Sequence, residues 1–317
     1  MIAFGPVPSR RLGRSLGINN IPAKICTYSC AYCQVGRTLQ MEARRRSFYS
    51  PQEICDEVAE KVKSAADLGL AVDYLTFVPD GEPSLDINLG QEIDMLRPLG
   101  LKIAVITNAS LIWDEGVRDD LARADWVSVK VDAVDEQQWR CMDRPHRSLK
   151  HEAILQGILD FSKQFRGRLV TETMLLSGIN DDQGSLQAIS DFLGAVHPAA
   201  AYISAPIRPP AERWAAMPSE ESLNRAYQIF SSRQKSVELL AGYEGDSFVS
   251  TGNAGSDLLA IAAVHPMRKE AIEKLLQQSG ASWDVAARLI DQGKLVRIEY
   301  QGNNFYLRPA KTSSDPS

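Results

Sequence analysis

The sequence contains no run of about 18 apolar residues, which excludes a helical membrane span. Its opening Met1-Ile2-Ala3-Phe4-Gly5-Pro6 lacks the basic and apolar regions of a secretory signal. A cytoplasmic location with no membrane partner is expected. Cysteine is scarce, with five in 317 residues, and three of these are clustered, which argues against a disulfide framework and for metal chemistry in a reducing compartment. Histidine is scarcer still. His146, His151, His197 and His265 all lie more than a hundred residues beyond the cysteine cluster, so a compact local Cys3His zinc site has no fourth ligand at hand. There is no internal repeat and no low-complexity tract, apart from residues 311–317, which are expected to form a disordered tail. What remains is an ordinary globular composition, 44% hydrophobic and 24% charged, long enough for one large domain or a large one and a small one.

The cluster itself is Cys26-Thr27-Tyr28-Ser29-Cys30-Ala31-Tyr32-Cys33. Three thiolates are one short of a structural zinc site or an ordinary electron-transfer cluster. They suit a 4Fe-4S centre in which one iron stays open. Cys-x3-Cys-x-aromatic-Cys resembles the signature of the radical S-adenosylmethionine (SAM) superfamily. The chain as a whole resembles relatives of the tRNA wyosine synthases, most densely from Gly5 to Arg37, but it has no cysteine before Cys26 to ligate the additional cluster of that family. The resemblance implies a 4Fe-4S cluster on Cys26, Cys30 and Cys33, with SAM on the open iron. It also implies an external electron donor such as flavodoxin or ferredoxin, and reductive cleavage of SAM to a 5'-deoxyadenosyl radical that abstracts hydrogen. The two other cysteines read as packing residues, Cys55 in the core and Cys141 within Trp139-Arg140-Cys141-Met142.

Along the chain, apolar strands alternate with amphipathic helices from near Ser15 to Ala205, about six units in all. This pattern implies parallel βαβ units in an α/β protein. Six units fit the partial (β/α)6 TIM-type barrel that the resemblance implies, with a doubly wound sheet as the competing arrangement. The barrel is assigned to residues 1–242 and a turn-rich linker to 243–256. In 257–310, three short helices and a hairpin look like a winged helix.

The chemistry is then expected at the C-terminal strand ends. Pro79-Asp80-Gly81-Glu82-Pro83 resembles the family's Gly-Gly-Glu motif with Asp80 in the first glycine position. Asn108 ends the third strand, and Ser128, Lys130 and Asp132 share one face of the fourth by period two. With Gly81, Glu82, Tyr32 and Ile207 they are the implied SAM-binding set, Tyr32 and Ile207 meeting the adenine. A plain Lys130–Glu172 salt bridge is the competing reading for that pair.

Residues 1–50 hold eight basic side chains against Glu42 alone, a net +7 that leaves −12 for the rest. This points to an anionic substrate, RNA or a small molecule, held by Arg10, Arg11, Glu172 and Arg208. The bland reading of the same charge is a solvated surface balancing the acidic remainder. Two other functions stay open. One is a peptide-modifying or glycyl-radical-activating enzyme whose winged helix holds the substrate. The other is an iron-sulfur redox sensor whose winged helix reads DNA, which the near-neutral balance of 257–317, eight basic and seven acidic residues, disfavours.

Overall fold

In the computed structural model, residues 2–240, 253–264 and 266–309 are described. Most of the expected linker and all of the expected 311–317 tail lie outside them. The chain opens with an antiparallel hairpin, β1 (Ala3–Ser9) and β2 (Gly13–Ile18). A short parallel ribbon follows, β3 (Ile25–Cys26) with β4 (Gln40–Met41), and the cysteine loop lies between its strands. Next comes α1 (Pro51–Asp67), which starts where Ser50 accepts a hydrogen bond from the Glu53 amide and Pro51 takes the first helical position. Helix and strand then alternate through β5 (Tyr74–Phe77), α2 (Leu89–Leu96), β6 (Lys102–Thr107), α3 (Glu115–Leu121), β7 (Trp126–Lys130), α4 (Glu136–Asp143), α5 (His151–Gln164), β8 (Arg168–Met174), α6 (Gln183–Val196), β9 (Ala200–Ser204), α7 (Glu220–Ser231) and β10 (Val237–Leu240).

The sheet order is β1-β2-β5-β6-β7-β8-β9-β10, parallel from β2 onward. The strands follow one another without the reversal that defines a doubly wound sheet, so that arrangement is excluded. The order is consistent with a partial barrel. Two strands, β1 and β10, lie outside the Ser15–Ala205 alternation expected from the sequence. β1 carries Pro6 and Pro8, and an edge strand tolerates residues that cannot donate to a ladder. The four residues of β10 were too few to show a period.

Alternation along β7 shows how the sheet divides its residues. Val127 and Val129 face the helix layer with Ile103, Val105 and Ile158. Trp126 faces inward among Ala104, Val170, Ala200, Tyr202 and Leu240 and fills the interior. Farther along the same inward face, Lys130 meets open space, so the cavity lies toward the C-terminal ends of the strands.

The C-terminal unit comprises α8 (Ala254–Val264), β11 (Met267–Arg268), α9 (Lys269–Gln278), α10 (Asp284–Asp291), β12 (Val296–Tyr300) and β13 (Asn303–Leu307). Its three-stranded antiparallel sheet runs β11-β13-β12 beside its own core, which includes Leu258, Ile272 and Leu275. Helix α8 begins inside the stretch expected to be linker. Val7 of β1 packs on this core, and the Tyr300 hydroxyl donates to the Pro206 carbonyl at 2.8 Å. The unit therefore touches both β1 and the loop that follows β9. No described helix is long and apolar enough to cross a membrane.

Candidate active site

The cysteine loop is fixed by backbone hydrogen bonds to three separate segments. The Lys24 amide donates to Asp80 O (2.7 Å), the Ala31 amide to Met142 O at the end of α4 (2.7 Å), and the Glu212 amide, from the loop after β9, to Ala31 O (2.9 Å). Gly81 runs beside Ile25 as a parallel bridge, and a Cβ there would lie 2.0 Å from the Ile25 carbonyl oxygen. Only glycine permits that approach, so the second residue of the Gly-Gly-Glu-like motif is required by backbone packing against the loop. Asp80 pairs with Lys24 (2.9 Å).

Cys26, Cys30 and Cys33 all line one cavity of about 370 Å3. Burial is the largest cause raising each thiol, Cys26 to about 12. Such thiols ionise readily only beside a strong positive charge, which a coordinated metal provides. Among the described residues no three His, Cys, Asp or Glu side chains converge closely enough to hold one ion. In a 4Fe-4S cluster each thiolate takes its own iron and no common point is needed. The Asn108 amide also reaches Cys26 Sγ (3.6 Å), as a hydrogen bond to a ligating sulfur would. The donor set fits a three-thiolate cluster.

Around the thiols the strand ends carry a buried polar network. Glu82 accepts from Thr107 Oγ1 (2.6 Å), the Asn108 amide (2.8 Å) and Ser84, so it ties the β5 and β6 ends together and is turned away from the cavity. Asn108 also donates to Thr27 Oγ1 (2.8 Å). The Tyr32 hydroxyl donates to Asp132 and reaches Asp143 (2.9 Å), and the Cys30 thiol lies 3.4 Å from Asp143 Oδ1. Burial, with Asp132 as neighbour, holds Asp143 well above the carboxylate range.

Lys130 Nζ lies 5.0 Å from the Tyr32 ring centroid and 3.2 Å from Glu172. Glu172 also receives Arg11 Nη1 and the Ser204 hydroxyl (3.2 Å). Burial would raise Glu172, yet the two cations bring it down to about 2. The same pairing outweighs burial at Lys130 and keeps its ammonium protonated.

Of the expected residues, Cys26, Cys30, Cys33, Tyr32, Gly81, Lys130, Ile207, Arg11, Glu172 and Arg208 line the cavity, whereas Glu82, Asn108, Ser128 and Asp132 stand behind its wall. Ser128 is buried with its hydroxyl unpartnered. Arg10 sits exposed on the hairpin turn, away from the lining. The Lys130–Glu172 salt bridge is present. Cys141 is exposed and does not pack, because it lies on the outer face of α4. Asp143 and Ser204 went unnoticed in the sequence, Asp143 because it closes a helix with no clear apolar period. Much of the N-terminal positive charge is consumed in pairs: Arg14 with Asp73, Lys24 with Asp80, Arg37 with Glu212, Arg45 with Asp120 and Arg46 with Glu42.

This combination of a parallel α/β sheet, a three-cysteine loop at the strand ends and a shared cavity defines a class. The profile of the Radical SAM superfamily matches residues 20–186, and the chain belongs to that superfamily, whose cofactors are a 4Fe-4S cluster and SAM. It is an enzyme of the radical SAM type. More particularly, it is 46% identical to a UPF0026 protein of Methanocaldococcus jannaschii over 98% of this chain and 97% of that one. Among solved structures, it resembles a radical SAM methyltransferase from Sphaerobacter thermophilus (TM-score 0.56, 16% identity, 72% of this chain and 66% of that one). It also resembles TYW1 with a lysine-pyruvate adduct bound (TM-score 0.53, 16% identity, 70% and 74%). Both likenesses are of fold.

Proposed function

We propose that this chain cleaves SAM reductively and uses the resulting radical to abstract hydrogen from a small organic anion. The observation that carries the reading is the opening of all three cysteines into the cavity lined by Gly81, Lys130 and Ile207. When bound and reduced, a 4Fe-4S cluster there supplies the electron that breaks the sulfonium. The chain's own residues do the rest. Cys26, Cys30 and Cys33 hold the cluster. Gly81 gives the ligand a close backbone edge, Lys130 presents a fixed ammonium to its carboxylate, and Ile207 covers the adenine. Asn108, Asp132 and Glu82 act from behind the wall by fixing the loop and Tyr32. The electron comes from an external donor protein.

A small anion is favoured over RNA because the paired N-terminal arginines leave little positive surface for a phosphate backbone. We read the C-terminal unit as a winged helix that walls the barrel's open side, since it touches both β1 and the β9 loop. The test is anaerobic reconstitution with SAM and a strong reductant. The intact protein yields 5'-deoxyadenosine and Cys30→Ala yields none. Protein with a spectroscopically verified cluster that binds no SAM by calorimetry would sink the proposal.

A further inference from the structure

The cavity has a side that the cofactors do not claim. It is formed by the β1–β2 hairpin, with Phe4, Val7 and Leu12, and by Leu240 of β10. These are apolar side chains from the two margins of the open sheet. Into this side the hairpin turn sends Arg11, whose guanidinium carbon lies 5.7 Å from the Tyr202 ring centroid and whose side chain is only 16% exposed.

A guanidinium carries five N–H donors in a planar fork. Among the described residues, Arg11 donates through Nη1 alone, to Glu172. Glu172 is shared with Lys130 and Ser204, so one carboxylate serves two cations and a hydroxyl. On the other flank of Lys130, Asp132 is taken up by Tyr32 and the Met174 amide. Arg11, like Lys130, thus has donors left over, and it stands where apolar side chains meet open space. Arg11 lines the open cavity, so its unused N–H groups are available to a bound anion, which a planar guanidinium can grip through two of them.

We infer that the hairpin side of the cavity is the substrate subsite. It takes a small molecule with one anionic group, carboxylate or phosphate monoester, on an apolar body. The anion lies on the unused edge of Arg11, and the body lies against Phe4, Val7, Leu12 and Leu240. Lys130, held by Glu172, remains with the cofactor, so the two cations divide the two ligands between them. This subsite deepens the radical SAM reading and rests on it, since that reading puts the cofactor on the cysteine side.

The experiment uses cluster-loaded full-length protein saturated with SAM. Calorimetry compares 4-methylpentanoate, 3-methylbutyl phosphate and the neutral isostere 4-methylpentanamide, in wild type, Arg11→Gln and Arg11→Lys. The expected result is at least tenfold tighter binding of one anion than of the amide. That preference disappears in Arg11→Gln and is partly kept in Arg11→Lys, and SAM affinity is unchanged in both. Whichever anion is preferred identifies the group. Equal binding of acid and amide, absence of binding by all three at millimolar concentration, or an undiminished preference in Arg11→Gln each overturns the subsite. Should Arg11→Gln fail to fold, the acid-against-amide comparison in wild type still decides. The 5'-deoxyadenosine assay on the same preparations tells failure of the subsite from failure of the radical reading.

Discussion

Two buried glutamates sit in this fold under similar burial and respond in opposite ways. Glu172, lining the cavity, is flanked by Lys130 and Arg11 and is brought down to about 2. Glu92, on the outer side of the sheet in α2, faces Asp86. Burial raises it first and the Asp86 charge second, to about 9, and Asp86 itself rises to about 6. Neither Glu92 oxygen makes a hydrogen bond of good geometry. Desolvation pushes both carboxyls upward, so the sign is decided by the neighbour. A carboxylate between cations is a fixed charge, and one beside another carboxylate is a proton store. Glu172, which lines the cavity, is of the first kind, its charge fixed by Lys130 and Arg11.

The sharpest way to break the comparison is Glu172→Ala. It removes the shared anion and leaves Arg11 and Lys130 without it at the cavity wall. The expected loss is about 3–5 kcal/mol in denaturant unfolding at neutral pH, the cost of leaving a buried charge unpaired. A loss under about 1 kcal/mol would mean that water already screens the pair. In the intact protein the folded-state value of Glu172 lies below its unfolded value of about 4.5. Its contribution is therefore present above that pH and disappears as pH falls toward about 2.

Glu92 has the opposite sign. Its folded value lies above the unfolded one, so its contribution is complete below about pH 4.5 and drains away as pH rises toward about 9. The slope is at most about 1.4 kcal/mol per pH unit. Glu92→Gln keeps the shape, abolishes the titration and is expected to gain on the order of 2 kcal/mol over wild type at pH 8, with a flatter profile from pH 6 to 9. Parallel profiles for variant and wild type would show that a bound cation or water, not a proton, occupies the pair.

Tyr32→Phe tests the polar network that separates these regimes near the cluster. Asp132 and Asp143 lose the hydroxyl between them, and the expected cost is about 1 kcal/mol in the same unfolding experiment. An unchanged midpoint would show that water replaces the phenol.

Much of this arrangement was legible in the sequence. Cys26, Cys30 and Cys33 carry their chemistry in their spacing, and the pattern of Trp126 to Lys130 carries the inward and outward faces of a strand. The residues that escaped are joined by long-range geometry. Asp143 lies 113 positions from the thiol it meets, and Arg11 lies 161 positions from Glu172. No local period encodes such partners. The charge of the basic N-terminal segment is likewise visible in sequence, whereas Asp73, Asp120 and Glu212, which pair with it, come from a strand start, a helix and a loop far along the chain.

The smallest effect is expected at Ser128, where sequence and structure differ most finely. Period two correctly puts its side chain on the inward face with Lys130, and polarity on that face suggested a contact with SAM. In the fold it lies one inward position closer to the Trp126 layer, buried, with its hydroxyl unpartnered and outside the cavity lining. A hydroxyl in that position has already lost its water and gained nothing in return, so deleting it removes a cost rather than an interaction. Ser128→Ala is expected to leave stability within about 0.5 kcal/mol of wild type or to raise it slightly. SAM affinity of the cluster-loaded protein is expected to stay within about twofold, about 0.4 kcal/mol. A tenfold fall in that affinity with unchanged stability would show that the bound cofactor reaches below Lys130. The boundary between the fixed charges and the packed interior would then lie one residue deeper along β7.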